Sequence, residues 1–232
     1  MKIGILECGR TMPKVAARHG DFPDMFAQLL DGHGFTFESY NVEDMHFPES
    51  PDSCDGWLLT GSKHGAYEDH PFIPKLEAFI RDAFEEAVPM VGICFGHQII
   101  ATALGGHVEK FDGGWSLGLN AYEFEGLGEI KLNAWHQDQV LRIPDGARTI
   151  ASSAFCQHAA LLYDKRALTI QAHPEFGGEI IGQYVSLRRG TLDYGEDAMD
   201  HAAAHLSADD DNAKMAKRIA EFFLQERVPQ HA

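Results

Sequence analysis

Short apolar runs alternate with longer amphipathic stretches along most of the chain. Lys2 to Leu6 and Gly56 to Thr60 read as compact buried strands, the second ending in the turn Gly61-Ser62. Between them, Phe22, Met25, Phe26, Leu29 and Leu30 recur at helical spacing, and Gly32 and Gly34 stop that helix near Asp31. Phe35 to Val42 then alternates apolar and polar residues, the period of a strand. Leu76, Phe79, Ile80 and Phe84 place a helix over Pro74 to Ala87, followed by a buried strand over Pro89 to Ile93. Helical spacing resumes at Gly96 through Ile99, Ile100, Ala103 and Leu104 until Gly105-Gly106. Trp115 to Ile150 reads as β-rich with Gly and Pro turns, and Ala167 to Ala172 as another strand. A terminal helix spans Asn212 to Arg227 on Met215, Ile219, Phe222 and Phe223, with Asp209 to Asp211 suited to its N-terminus.

Strands alternating with helices predict an α/β fold, a mostly parallel sheet with helices on both faces. In such sheets, sites collect at the carboxyl ends of strands. A length of 232 residues with 44% hydrophobic content suffices for a sizeable core, and a single domain over 1–232 is the expectation. The formal charge of -16 repels polyanions, so neither nucleic acid nor an anionic membrane surface is an expected partner. No segment approaches the roughly 18 consecutive apolar residues of a membrane span. Met1 to Leu6 lacks the features of a secretory signal. Four scattered cysteines (Cys8, Cys54, Cys94, Cys156) without a CxxC pair argue against a zinc ribbon or a disulfide framework, and fit a reducing cytoplasm.

One of those cysteines stands apart. Cys94 falls at a strand-to-helix junction with Gly92 and Gly96 flanking it, a tight turn that presents the sulfur outward. The helix beginning near Phe95 aims its N-terminal N–H groups at the sulfur, which favours the nucleophilic thiolate. The other three read as small buried hydrophobes. Among thirteen histidines, His173 is the best candidate base, because it ends a strand and has Glu175 two positions on. An extended His173-Pro174-Glu175 segment would point imidazole and carboxylate to the same side, the carboxylate orienting and charging the ring. Backbone donors for an oxyanion are the N–H of Phe95 and that of Gly61 or Ser62.

Taken together, Gly92-Ile93-Cys94-Phe95-Gly96-His97-Gln98, Thr60-Gly61-Ser62 and His173-Pro174-Glu175 resemble, in order and spacing, the class I glutamine amidotransferases. The resemblance spans nearly the whole chain, and its two main motifs lie about eighty residues apart. It implies a flavodoxin-like fold with a β-rich edge segment and a C-terminal helical extension. It also implies a triad of Cys94, His173 and Glu175, and an oxyanion site from Gly61 and Phe95. Substrate-binding roles follow for Gln98 and, through the segment Asn133 to Asp138, for His136 and Asp138. Ser62, which replaces a glycine common in synthase-linked members, is a further substrate-binding candidate, and the polar loop Lys63 to Asp69 after it is expected to border the pocket. With about fifty-five residues after His173-Pro174-Glu175, the chain looks like the free-standing, GMP-synthase-like branch that includes γ-glutamyl peptide and amide hydrolases.

The activity this implies is cysteine-dependent hydrolysis of a γ-glutamyl amide through a γ-glutamyl thioester, with no cofactor and no metal. Two other readings stand beside it: a glutaminase subunit passing ammonia to a separate synthase partner, and a non-catalytic ligand-binding relative. His201 and His205, four apart on one helix face, suggest a metal pair, but no third ligand accompanies them and a solvated helix accounts for them. The acidic positions Glu196, Asp197 and Asp200 read as a solvated face. Residues 182–207 form an insertion that either shapes the pocket or makes an oligomer contact. The leaving amine and the oligomeric state are not fixed by the sequence.

Overall fold

The computed structural model describes residues 1–191 and 194–226. Five strands lie mutually parallel: β1 (Lys2–Glu7), β2 (Thr36–Asn41), β3 (Gly56–Leu59), β4 (Met90–Ile93) and β11 (Ala167–Ile170). Four antiparallel strands extend that sheet: β6 (Ser116–Phe124), β7 (Gly128–His136), β9 (Arg148–Ser152) and β10 (Ala160–Tyr163). The order across nine strands is β2-β1-β3-β4-β11-β10-β9-β6-β7. A separate two-stranded ribbon joins β5 (His107–Lys110) to β8 (Asp138–Arg142). The expected mostly parallel sheet with a β-rich edge is therefore present: five of the nine strands run parallel and adjacent, and the antiparallel strands make the edge.

Burial on both faces explains the continuous apolar runs. Strands β3, β4 and β11 are buried at every position, as central parallel strands covered by helices must be. One face packs Ile3, Ile5, Leu58, Val91 and Ile170 against α2 (Phe22–Leu29), α5 (Gly178–Arg188) and α7 (Asn212–Leu224). The opposite face packs Trp57, Leu59 and Met90 against α3 (Phe72–Glu85) and α4 (Phe95–Ala103). Phe26 on α2 is fully buried in the first of these layers. Phe26→Ala is expected to cost about 3–5 kcal/mol of stability, read as a lower urea midpoint with an unchanged slope.

Three helices escape the hydrophobic pattern, one of them α5, whose buried Ile180, Ile181, Tyr184 and Val185 make no clean stripe at helical spacing. α1 (Pro13–His19) buries only Val15, so it has no apolar stripe to read; Pro at its start and Gly20 at φ 81° just past its end delimit it. α6 (Glu196–Ala204) presents Met199 and Ala202 inward. Asp211 does stand at the N-cap of α7, as expected, but its carboxylate caps no N–H of that helix. Its carboxylate accepts from the Lys131 N–H at 2.8 Å while its own N–H donates to the Lys131 carbonyl, clamping the start of α7 to β7. Arg227 lies outside the described residues.

Candidate active site

Cys94 sits between β4 and α4 with φ 52° and ψ -102°, a conformation that costs a non-glycine residue about 1–3 kcal/mol and persists only where the surroundings enforce it. Its N–H donates to the Ile170 carbonyl at 2.9 Å, and the Gly96 N–H donates to the Thr60 carbonyl at 3.1 Å, tying the bend to β11 and β3. The two flanking glycines are sterically required. A Cβ on Gly92 would fall 2.4 Å from the Gly96 carbonyl oxygen, and one on Gly96 would fall 2.3 Å from that of Leu59. The thiol thus stands at the N-terminus of α4, where the unpaired N–H groups of the first turn concentrate positive potential.

Adjacent strands bring in the imidazole. β4 and β11 are registered Ile93 opposite Ile170, so the chain leaving β11 reaches His173 beside the residue that follows β4. His173 makes side-chain contact with Cys94 on one side, and its Nδ1 lies 2.7 Å from Glu175 Oε1 on the other. Burial alone would lower the basicity of His173, but the Glu175 carboxylate and Cys94 outweigh it and hold the imidazole well above its ordinary pKa. Phe176 stacks flat on the ring with centroids 4.2 Å apart, fixing its plane. The expected extended segment is not what unites the pair. His173 bridges to Asn133, and Pro174 and Glu175 then form a turn closed by the Phe176 N–H on the His173 carbonyl at 3.1 Å. Proline suits the second position of such a turn, and the turn brings the carboxylate back to the Nδ1 edge of the ring.

The thiol is only 6% exposed, yet it is not sealed. It opens into a cavity of about 520 Å³ that Ser62, Gln98, His136, Asp138 and His173 also line. Gly61 packs against the imidazole: a Cβ there would come within 2.9 Å of His173 Cε1. Among the described residues no backbone carbonyl accepts from the N–H of Gly61 or of Phe95. Gln98 commits its amide N–H groups to the Asp138 carbonyl (2.9 Å) and to the Gln171 side-chain oxygen (3.2 Å). His136 is buried and pushed down to about 3 chiefly by that burial, which keeps it neutral. Burial also raises Asp138 despite a hydrogen bond from Tyr67.

Six of the residues singled out from the sequence, Ser62, Cys94, Gln98, His136, Asp138 and His173, line this one cavity; Gly61 and Glu175 lie against His173, and Phe95 follows Cys94 at the start of α4, without lining it. What the sequence did not reveal is the rest of the lining. Tyr184 and Tyr194 come from the 182–207 segment and border the cavity, so that segment shapes the pocket. Arg10 and Met12 come from the loop after β1.

The other candidates separate cleanly from this site. Cys8, Cys54 and Cys156 are free, buried thiols raised by burial, with Cys8 donating to the Leu6 carbonyl. His201 Nε2 meets the Leu119 carbonyl at 2.9 Å, and His205 Nδ1 meets that of His201, so backbone oxygens occupy the pair. Among the described residues, one set of three side chains brings metal-ligand atoms within 4.8 Å of one another: His64, Glu68 and His70, the first two bordering the cavity. Glu68 accepts from His70 at 2.7 Å and Glu43 is 2.9 Å from His64, so these groups already satisfy each other.

Comparison with known proteins gives the same picture. The family profile described as glutamine amidotransferase class-I matches residues 32–186. A glutamine amidotransferase-like protein of Schizosaccharomyces pombe is 31% identical, covering 96% of this chain and 98% of that one. Gamma-glutamyl peptidase 4 of Arabidopsis thaliana is 28% identical, covering 89% of this chain and 88% of its own length. Among solved structures, a glutamine amidotransferase from Thermotoga maritima superposes with a TM-score of 0.78 at 18% identity, over 97% of this chain and 99% of that chain, a likeness of fold. With the profile covering most of the sequence and a relative matching nearly end to end, the chain belongs to the class-I glutamine amidotransferase family.

Proposed function

We propose that this protein hydrolyses γ-glutamyl amide bonds, with Cys94 as nucleophile, His173 as acid and base, and Glu175 as the carboxylate that orients and charges His173. The observation that carries this reading is the His173 imidazole held between Glu175 and the Cys94 thiol at the floor of the cavity. Cys94 Sγ adds to the γ-carbonyl carbon, and the displaced electron pair moves to the carbonyl oxygen, which accepts from the N–H groups of Gly61 and Phe95. As the carbon–nitrogen bond breaks, His173 gives its proton to the departing amine. The resulting γ-glutamyl thioester is attacked by water, whose proton His173 takes; the carbon–sulfur bond then breaks and glutamate leaves. Every proton is moved by His173, so these steps call on no metal or cofactor. Gln98, Ser62, His136 and Asp138 would hold the glutamyl group along the cavity wall.

The relatives support the same chemistry, since the Arabidopsis protein bears the name γ-glutamyl peptidase. The test uses the purified chain alone with glutamine and γ-glutamyl amides, quenched in acid during turnover. Amine release without an added partner, together with a γ-glutamyl adduct on the Cys94-containing peptide by mass spectrometry, is expected. Turnover with the adduct on a different residue would reject Cys94, and no turnover without a second protein would reject an autonomous hydrolase.

A further inference from the structure

His173 hands its proton to the departing amine, so the leaving group must lie on the imidazole's side of the cavity. From that imidazole a continuous series of aromatic contacts runs along the wall. Phe176 stacks on His173 at 4.2 Å, Tyr184 meets Phe176 at 5.3 Å, and Trp135 meets Tyr184 at 4.9 Å. Tyr194 then lies 5.8 Å from Trp135 and 4.6 Å from Trp115. All of these rings border the cavity, and none belongs to the groups that hold or attack the γ-carbonyl.

The same wall carries a positive charge. Arg188 is four residues after Tyr184 on α5, hence on the same helix face, and it too borders the cavity. Arg10 and Lys63 at the cavity edge are engaged by Asp44 and Glu43. Arg188 has no ion-pair partner among the described residues, while its neighbour Arg189 is paired with Glu196 and Asp200. Lys110, the remaining lysine or arginine there, stands opposite Asp138 in the β5–β8 ribbon.

We propose that the leaving amine is an aromatic amino acid, its ring seated against Trp115, Trp135 and Tyr194 and its carboxylate met by Arg188, so that γ-glutamyl aromatic dipeptides are preferred over glutamine. This rests on the hydrolase reading above and names its substrate class. A planar side chain gains from stacking on fixed aromatic faces, and a guanidinium fork suits a carboxylate. Glutamine, whose leaving group is ammonia, uses neither.

The test compares kcat/KM for γ-glutamyl-phenylalanine, γ-glutamyl-alanine and γ-glutamyl-phenethylamide, the last keeping the ring but lacking the carboxylate. The phenylalanine compound is expected to exceed the alanine compound by about tenfold or more, and Trp115→Ala to shrink that ratio. Arg188→Gln should reduce the advantage of γ-glutamyl-phenylalanine over the phenethylamide. Ratios on one preparation do not depend on the fraction folded, so a destabilised variant still discriminates between the outcomes. Equal turnover of the phenylalanine and alanine compounds by the wild-type protein, or an aromatic preference that survives Trp115→Ala, overturns the proposal while leaving the hydrolase reading intact. Failure to turn over any γ-glutamyl compound overturns both.

Discussion

Cys94→Ala is expected to lower turnover of γ-glutamyl amides by at least about 10⁴-fold while the protein stays folded. The cavity would keep its backbone donors and its imidazole, so residual rate from binding and polarisation remains, but no bond can form to the carbonyl carbon. Little structure depends on the sulfur itself. The bend is held by backbone hydrogen bonds from Cys94 and Gly96 and by the close approach of Gly92 to Gly96, none of which alanine disturbs. Stability should therefore remain within about 1 kcal/mol of the wild type. Cys94→Ser tests the same point differently, since a hydroxyl at that position ionises far less readily than a thiol. Steady-state rates beside urea unfolding curves separate the two effects: retained turnover in Cys94→Ala would sink the assignment.

The second large effect is expected at Glu175. Glu175→Gln should lower kcat/KM by about 10²–10⁴-fold and move its alkaline limb toward neutral pH. Burial pulls the His173 pKa down, and the attraction of Glu175 and Cys94 pulls it up with the upward pull winning. The wild-type imidazole therefore keeps its proton beyond the range near 6.5 where an unperturbed histidine loses it. Glutamine removes the leading upward contribution and leaves burial to act. Stability follows the same sign. Because the folded imidazole binds its proton more tightly than the unfolded one, the pair's contribution is full below about pH 6.5 and is lost as pH rises through the folded value. The stability gap between wild type and Glu175→Gln should accordingly be larger at pH 6 than at pH 9. Coincident alkaline limbs in the two proteins would show that Glu175 does not hold the proton on His173.

How legible the site was in the sequence depended on the distance over which each feature is fixed. The bend at Cys94 could be read because its cause is local: two glycines within two positions, where any side chain would strike backbone. The pairing of His173 with Glu175 was found for a geometrical reason that the structure replaces. A turn closed by Phe176, not an extended segment, brings the carboxylate to the Nδ1 edge of the ring. Helix α1 went unread because seven residues with one buried side chain carry no periodic signal. Tyr184 and Tyr194 were invisible as cavity residues, since a tyrosine in a weakly patterned segment does not announce which face it will meet.

By itself, then, the sequence determined most of the order of strands and helices and the strained junction that carries a thiol. Those follow from interactions among neighbours in the chain and from burial periodicity. Only the tertiary structure decided that Cys94 and His173 share a cavity. They meet because β4 and β11 became parallel neighbours with Ile93 opposite Ile170, and because the Cys94 N–H reaches the Ile170 carbonyl. Strand neighbourhood is a choice among many pairings of similar apolar runs, settled by how helices cover both faces of the sheet, and no local pattern encodes it.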